Sequence, residues 1–193
     1  ARPPVFRGPP PKLKAGPPEH NAMAAPLAEV TLVEVTLADV GPEHEGALRA
    51  ITRHAATMKW IANGVAWSGE KLRRFLKYCA EEAGQPRAER ENYYSAVLAG
   101  GECVGVVGVH PVNYEPGVRA LTVFVAPAAA GKKVGTRAIR LALAAYWAHS
   151  PGQAVCVDVN VKNAPMNALA TSLGLERERA PVKISGKEYH RYT

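Results

Sequence analysis

No uninterrupted apolar run in this 193-residue sequence approaches the length of about 18 residues that a membrane-crossing helix requires, so no transmembrane segment is expected. Cysteine is scarce. Cys79, Cys103 and Cys156 stand far apart and form no Cys-x-x-Cys pair, which removes both a metal knuckle and a disulfide framework. Such thiols fit an intracellular, reducing compartment, and cytoplasm, organelle matrix and virion interior all qualify. Acidic residues are outnumbered, 17 Asp and Glu against 24 Lys and Arg, giving a formal net charge of +7. That excess allows an acidic partner (nucleic acid, a nucleotide-like cofactor or acidic protein) without naming one. What is present is ordinary for a folded chain: 47% apolar residues, and length enough for one core plus an extension.

The extension is residues 1–28. They lack periodic apolar residues and hold eight of the chain's 16 prolines, with Arg2, Arg7, Lys12 and Lys14 against the single acid Glu19. Such a segment cannot bury enough apolar area to offset its ordering entropy, and proline keeps it extended and polyproline-like. It reads as a basic tail that docks outside its own domain, on other subunits or on nucleic acid of an assembly. The first residue is Ala rather than Met, which fits a processed chain or part of a longer one.

The body spans 29–193. Val30, Leu32, Val33, Val35 and Leu37 predict a first strand, and Pro42, Glu43 and Glu45 open a helix with Leu48, Ile51 and Ala55 as its stripe. After a loop around Asn63-Gly64, Ser68 is the expected N-cap of a helix over Glu70 to Ala83. Leu72, Phe75, Leu76 and Cys79 would line its inner side, and its basic residues a solvated one. Tyr93 to Leu98 and Cys103 to Val109 read as a hairpin across Gly100-Gly101. Gly105 and Gly108 call for a bulge or a close backbone neighbour.

The centre is 121–148. Leu121 to Val125 predicts a buried strand stopped by Pro127, then a loop of small residues with Gly131 and Gly135, then a helix with Ile139, Ala142, Leu143 and Tyr146 on one face. A strand running through a small-residue loop into a helix N-terminus makes an anion site, because free N–H groups and the helix dipole converge there. Beyond it, Ala154 to Val159 predicts a strand and Ala164 to Leu173 a helix ended by Gly174. A hairpin of Val182 to Ile184 and Glu188 to Tyr192 closes the chain across Ser185-Gly186. The whole is an α/β domain: a mixed, largely antiparallel sheet flanked by helices.

Phe124-Val125-Ala126-Pro127 followed by Gly131-Lys132-Lys133-Val134-Gly135-Thr136 resembles the pyrophosphate-binding segment of the GNAT superfamily of N-acetyltransferases. Asp158 to Asn163, then Leu173-Gly174-Leu175, resembles that family's next motif, and the Trp67-Ser68 helix opening is similar to members that acetylate protein or peptide amines. The resemblance implies acetyl-CoA as cofactor, without a metal, bound in a splayed gap between the strand before the loop and the strand after the long helix. Phe124 and Val125 would pair with the pantetheine arm. Gly131, Lys132, Lys133, Val134, Gly135 and Thr136 would hold the pyrophosphate, with Asn163 capping the next helix beside them. An amine, protein-borne or small and of no stated identity, would attack the thioester, with Glu115 as water-mediated base and His110 as second choice. Glu115, His110 and Tyr114 are placed where the acceptor side should be, and Asp158 is read as the less involved carboxylate.

Three positions depart from the family pattern. Ala130 stands for its Gln or Arg, Lys133 for the first glycine of Gly-x-Gly, and Ala170 for a tyrosine that many members use as acid. Glycine matters at the second position because phosphate approaches the backbone closely and φ can be positive. The sequence therefore supports an acetyltransferase first, and second a non-catalytic subunit of the same fold in a ribosome-like particle or virion, anchored by its basic tail.

Overall fold

The computed structural model of the chain describes residues 33–61, 64–112 and 115–193. The tail 1–28, Val30 to Leu32 of the anticipated first strand, Asn63 and Tyr114 lie outside them. The described elements run β1 (Val35–Asp39), α1 (Glu45–Arg53), α2 (Ala55–Met58), α3 (Gly69–Ala83), β2 (Tyr93–Ala99), β3 (Glu102–Pro111), β4 (Arg119–Val125), α4 (Val134–Trp147), β5 (Val155–Asn160), α5 (Ala164–Ser172), β6 (Val182–Ile184) and β7 (Lys187–Tyr192).

Seven strands form one sheet in the order β1-β2-β3-β4-β5-β7-β6. Every named pairing is antiparallel except β4 with β5. The β2–β3 hairpin turns on Gly100 and Gly101 at φ 59° and 85°, the doubly positive geometry that a two-residue turn demands and glycine tolerates. Opposite Gly105 the β2–β3 register shifts between Val97 and Leu98, so a bulge does sit there. A Cβ on Gly105 would also strike the Phe124 carbonyl, and one on Gly108 the Tyr94 ring. Both glycines let neighbours close in beside β4.

Each face of the sheet has its own core. On one, α4 lays Ala138, Ile139, Leu143 and Tyr146 over Val107, Val109, Leu121, Val157 and Val159. On the other, Leu48 and Ile51 of α1 and Leu72, Leu76 and Cys79 of α3 cover Ala96, Val106 and Phe124. Full burial of each large aliphatic side chain contributes about 1.5–3 kcal/mol. Ser68 caps α3 as its position implied, its Oγ accepting from the Lys71 amide at 3.1 Å. The anticipated α1 stripe is corrected at its end. His54 leaves the helical region at ψ 121°, and its Nδ1 accepts from the Ala56 amide to start α2. Ala55 therefore opens a new helix and is exposed, while Thr52 is the residue buried beside Ile51.

Candidate active site

The parallel pair at the sheet's centre is incomplete. β4 and β5 are in register only at Arg119 with Val155 and Ala120 with Cys156; beyond, Leu121 to Val125 and Val157 to Asn160 run on without pairing to each other. Two cavities open on this gap and share Val123, Phe124, Val125, Asn163 and Met166 in their walls. One, of about 510 Å³, lies towards α4 and α5. The other, of about 320 Å³, includes Thr57, Trp60 and Ile61 from the α1–α2 side.

The first cavity brings together most of the residues the loop motif singled out. Phe124, Val125, Gly131, Lys133, Val134, Gly135, Thr136 and Asn163 all line it; Lys132 is exposed and is not among them. Gly131 sits at φ 75° with open space where a Cβ would be. Lys133 takes φ 59°, ψ 11° as the residue before α4. The position where the family pattern has glycine adopts the left-handed conformation here, with a lysine in it. The first helical bond of α4 is Arg137 N–H to the Lys133 carbonyl at 3.1 Å. By helix geometry the amides of Val134, Gly135 and Thr136 have no intrahelical acceptor. Asn163 spends its Oδ1 on capping α5, accepting from Met166 N–H at 3.3 Å. Thr57 Oγ1 lies 3.4 Å from the Val125 carbonyl, so one acceptor of the gap strand is engaged from across the second cavity.

Strand alternation sets the second cavity's chemistry. With Val155, Val157 and Val159 turned to the α4 core, Asp158 and Asn160 face the other way and line this cavity, as does Thr122 of β4. Thr122 Oγ1 is 2.9 Å from His110 Nε2, and His110 Nδ1 is 3.0 Å from the Pro111 carbonyl. A carbonyl only accepts, so Nδ1 carries a hydrogen; in the neutral ring Nε2 then accepts the Thr122 hydroxyl proton. The Tyr94 ring stacks on His110 at 5.7 Å and fixes its plane.

Glu115 is placed differently from the reading that it, rather than Asp158, faces the acceptor. Its half-exposed carboxylate is ion-paired to Arg191 Nη1, and it is not among the residues lining the second cavity, whereas Asp158 is. Asp158 is gripped at both oxygens, by Arg191 Nε at 2.9 Å and Nη2 at 3.1 Å. The hydrogen bonds that Arg191 donates to Asp158, and next to Glu115, raise its pKa against the opposing effect of burial. A carboxylate committed to a guanidinium is a weak proton acceptor, so this trio reads as a brace between β5, β7 and the β3–β4 connection. Burial pushes the thiol pKa of Cys79 up to about 12, and burial with the neighbouring Asp158 pushes that of Cys156 up to about 11. Neither is a ready nucleophile.

Arg191, Thr122, Trp60 and Tyr189 were not singled out from sequence. A lone carboxylate within the apolar run Val155 to Val159 was a signal that a buried cation would have to exist. Nothing local pointed to Arg191, which is 33 positions away.

Residues 30–176 match the family model described as an acetyltransferase (GNAT) domain. No curated protein sequence matches the chain. Among solved structures, aminoglycoside acetyltransferase AAC(6')-Ib in complex with coenzyme A is similar at TM-score 0.66 and 15% identity, over 83% of this chain and 94% of that one. RimL, a ribosomal L7/L12 alpha-N-protein acetyltransferase in complex with coenzyme A, is similar at 0.64 and 15%, over 84% and 94%. Spermidine N-acetyltransferase from Vibrio cholerae, with CoA and spermine, is similar at 0.65 and 16%, over 82% and 94%. At these identities the likeness is one of fold.

Proposed function

This chain belongs to the GNAT acetyltransferase family, and from that premise we propose that it transfers an acetyl group from acetyl-CoA to the nitrogen of an amine. The observation that carries the reading is the gap between β4 and β5, where the cavity walled by the loop before α4 and the cavity walled by Thr122, Asp158 and Asn160 share Val123 to Val125. The cavity on the α4 side fits the coenzyme. Unpaired amides at the start of α4, an open Gly131 and the Lys133 ammonium suit a pyrophosphate, and Met166, Pro165 and Leu169 suit an apolar arm. Acetyl-CoA supplies a thioester whose C–S bond breaks as the new C–N bond forms, the coenzyme leaving as a thiol with one of the amine's protons.

The chain's own residues orient the acceptor and take one proton from its ammonium form, so that one leaves with the thiol and one stays on the amide nitrogen. Thr122, its hydrogen directed to His110, presents oxygen lone pairs to the second cavity and can accept from an ammonium. The proton then passes through the hydroxyl to His110 Nε2, with Pro111's carbonyl holding the opposite edge of the ring. His110, the second choice from sequence, thus becomes the base, acting through Thr122, and Glu115 becomes structural. Ala170 is fully buried against α4 and β5, so the absent tyrosine leaves no group at that position to act on a substrate.

The test follows thiol release from acetyl-CoA over a panel of amines. Thr122→Val and His110→Gln should each lower kcat about a hundredfold while leaving acetyl-CoA affinity as in the parent. A Thr122→Val enzyme turning over at the parent's rate would overturn the relay. Tight acetyl-CoA binding with no thiol release for any amine would favour a protein of this fold without turnover.

A further inference from the structure

The cavity beside Thr122 and Asp158 adjoins another, larger one. Through Trp60, Asn160 and Tyr189 it continues into an outer cleft of about 730 Å³, the largest of the cavities described. Lys59, Lys162, Lys183 and Lys187 are four of the ten residues lining that cleft, and Glu188 is the one acid among them. In the whole chain Lys and Arg are 24 of 193, so the cleft is far more basic than composition alone would make it. The lysines come from four places: after α2, after β5, from β6 and from β7. Lys59 sits with its ammonium 4.8 Å from the Trp60 ring centre, which holds a positive charge at the doorway between the two cavities. Glu188 is the cross-strand partner of Lys183, so its charge offsets one lysine and leaves the cleft net positive. Inside, the acid that borders the inner cavity is Asp158, gripped at both oxygens by Arg191.

A polycationic acceptor would meet repulsion at this cleft, whose described lining residues hold one acid, Glu188, against four lysines. We infer that the acceptor is an amine presented at the end of an acidic peptide segment: the amine enters the inner cavity while Asp and Glu side chains lie among the lysines outside. The inference rests on the proposed acetyl transfer and adds the substrate class. The inner cavity, about 320 Å³, lies within the usual size range of a small-molecule site, and a larger cleft adjoining it calls for a longer acceptor. Single charges from separate segments suit carboxylates spaced along an extended chain, about 3.3 Å per residue, better than one compact dianion.

The experiment measures binding of short dye-labelled peptides with a free N-terminus to the full chain saturated with CoA. Acidic, amide-substituted and basic versions of one sequence are compared, with spermidine as competitor. The acidic peptide should bind about tenfold or more tightly than its amide version, lose that advantage at about 0.5 M salt, and resist spermidine. The exposed pair Lys162→Glu with Lys183→Glu should cancel the preference while acetyl-CoA binding, read separately by calorimetry, stays as in the parent. Equal binding of all three peptides, no binding of any, preference for the basic one, or displacement by spermidine would overturn the inference. A flat acetyl-CoA titration of the parent would count against the proposed activity, whereas indiscriminate peptide binding beside normal acetyl-CoA binding counts against this inference alone.

Discussion

Replacing Lys133 by glycine should make the protein more stable and its coenzyme binding weaker. Lys133 sits at φ 59°, ψ 11°, and with Ser185 it is one of two non-glycine residues at positive φ among the described residues. Holding an L-residue in that region costs about 1–2 kcal/mol. Glycine removes the cost but gives about 0.4–1 kcal/mol back through its freer unfolded chain. The net gain at the midpoints is about 0.8 kcal/mol, which for a domain of this size raises Tm by roughly 2–3 °C. The same change takes an ammonium out of the cavity wall. An exposed ion pair contributes about 0.2–1 kcal/mol, so acetyl-CoA should bind up to about fivefold more weakly. Thermal unfolding and calorimetric titration read the two effects separately. Lys133→Ala is the control, because it loses the charge and keeps the backbone strain; its affinity should fall without a rise in Tm. A Lys133→Gly protein that melts no higher than Lys133→Ala would refute the strain argument.

Two further outcomes concern the brace and the thiols. Asp158→Ala leaves the buried Arg191 without its two-point partner and should cost about 3 kcal/mol in urea unfolding, whereas Glu115→Gln, at a half-exposed carboxylate, should cost about 0.2–1 kcal/mol; equal losses would show that Asp158 is not the buried anchor. The folded pKa values of Cys79 and Cys156, about 12 and about 11, stand above the ordinary 9.0. Their contribution is therefore full below about pH 9 and is lost as pH rises towards those values, because the unfolded thiols ionise first. Tm should fall from pH 8 to pH 10, and less steeply in Cys79→Ala; parallel slopes would contradict the assignment.

The features legible in the sequence were those whose causes are local. Ser68 before an amphipathic run, Gly100-Gly101 between two strand patterns, and Ser185-Gly186 before the last strand each specify their own backbone within a few residues. The strand, small-residue loop and helix start around α4 were legible in the same way, whereas a positive φ at position 133 was suggested only by the family resemblance. What the sequence left unread depends on partners far along the chain. His54 ends α1 by capping α2, and no periodicity marks that break. Glu115 and Asp158 were ranked by strand position alone. Both are drawn into one brace because Arg191, at the far end of the chain, comes to lie between them. Thr122 looked like a strand filler between Leu121 and Val123, and its use depends on His110, brought across the β3–β4 ladder, where Gly108 stands opposite Thr122.

The central claim is that acetyl-CoA occupies the cavity between β4, α4 and α5 with its pyrophosphate on the first turn of α4. Gly135→Asp tests it most directly. A Cβ there meets only the Leu169 Cδ1 atom, at 3.4 Å, and the backbone is not left-handed, so the fold should accept the change. An aspartate in the first turn also suits the helix dipole, while its carboxylate occupies the anion site. Calorimetric titration should show one acetyl-CoA per parent chain and at least a tenfold weaker association for the variant, at unchanged Tm. A parent that does not bind acetyl-CoA, or a variant that binds it equally well, would contradict the account.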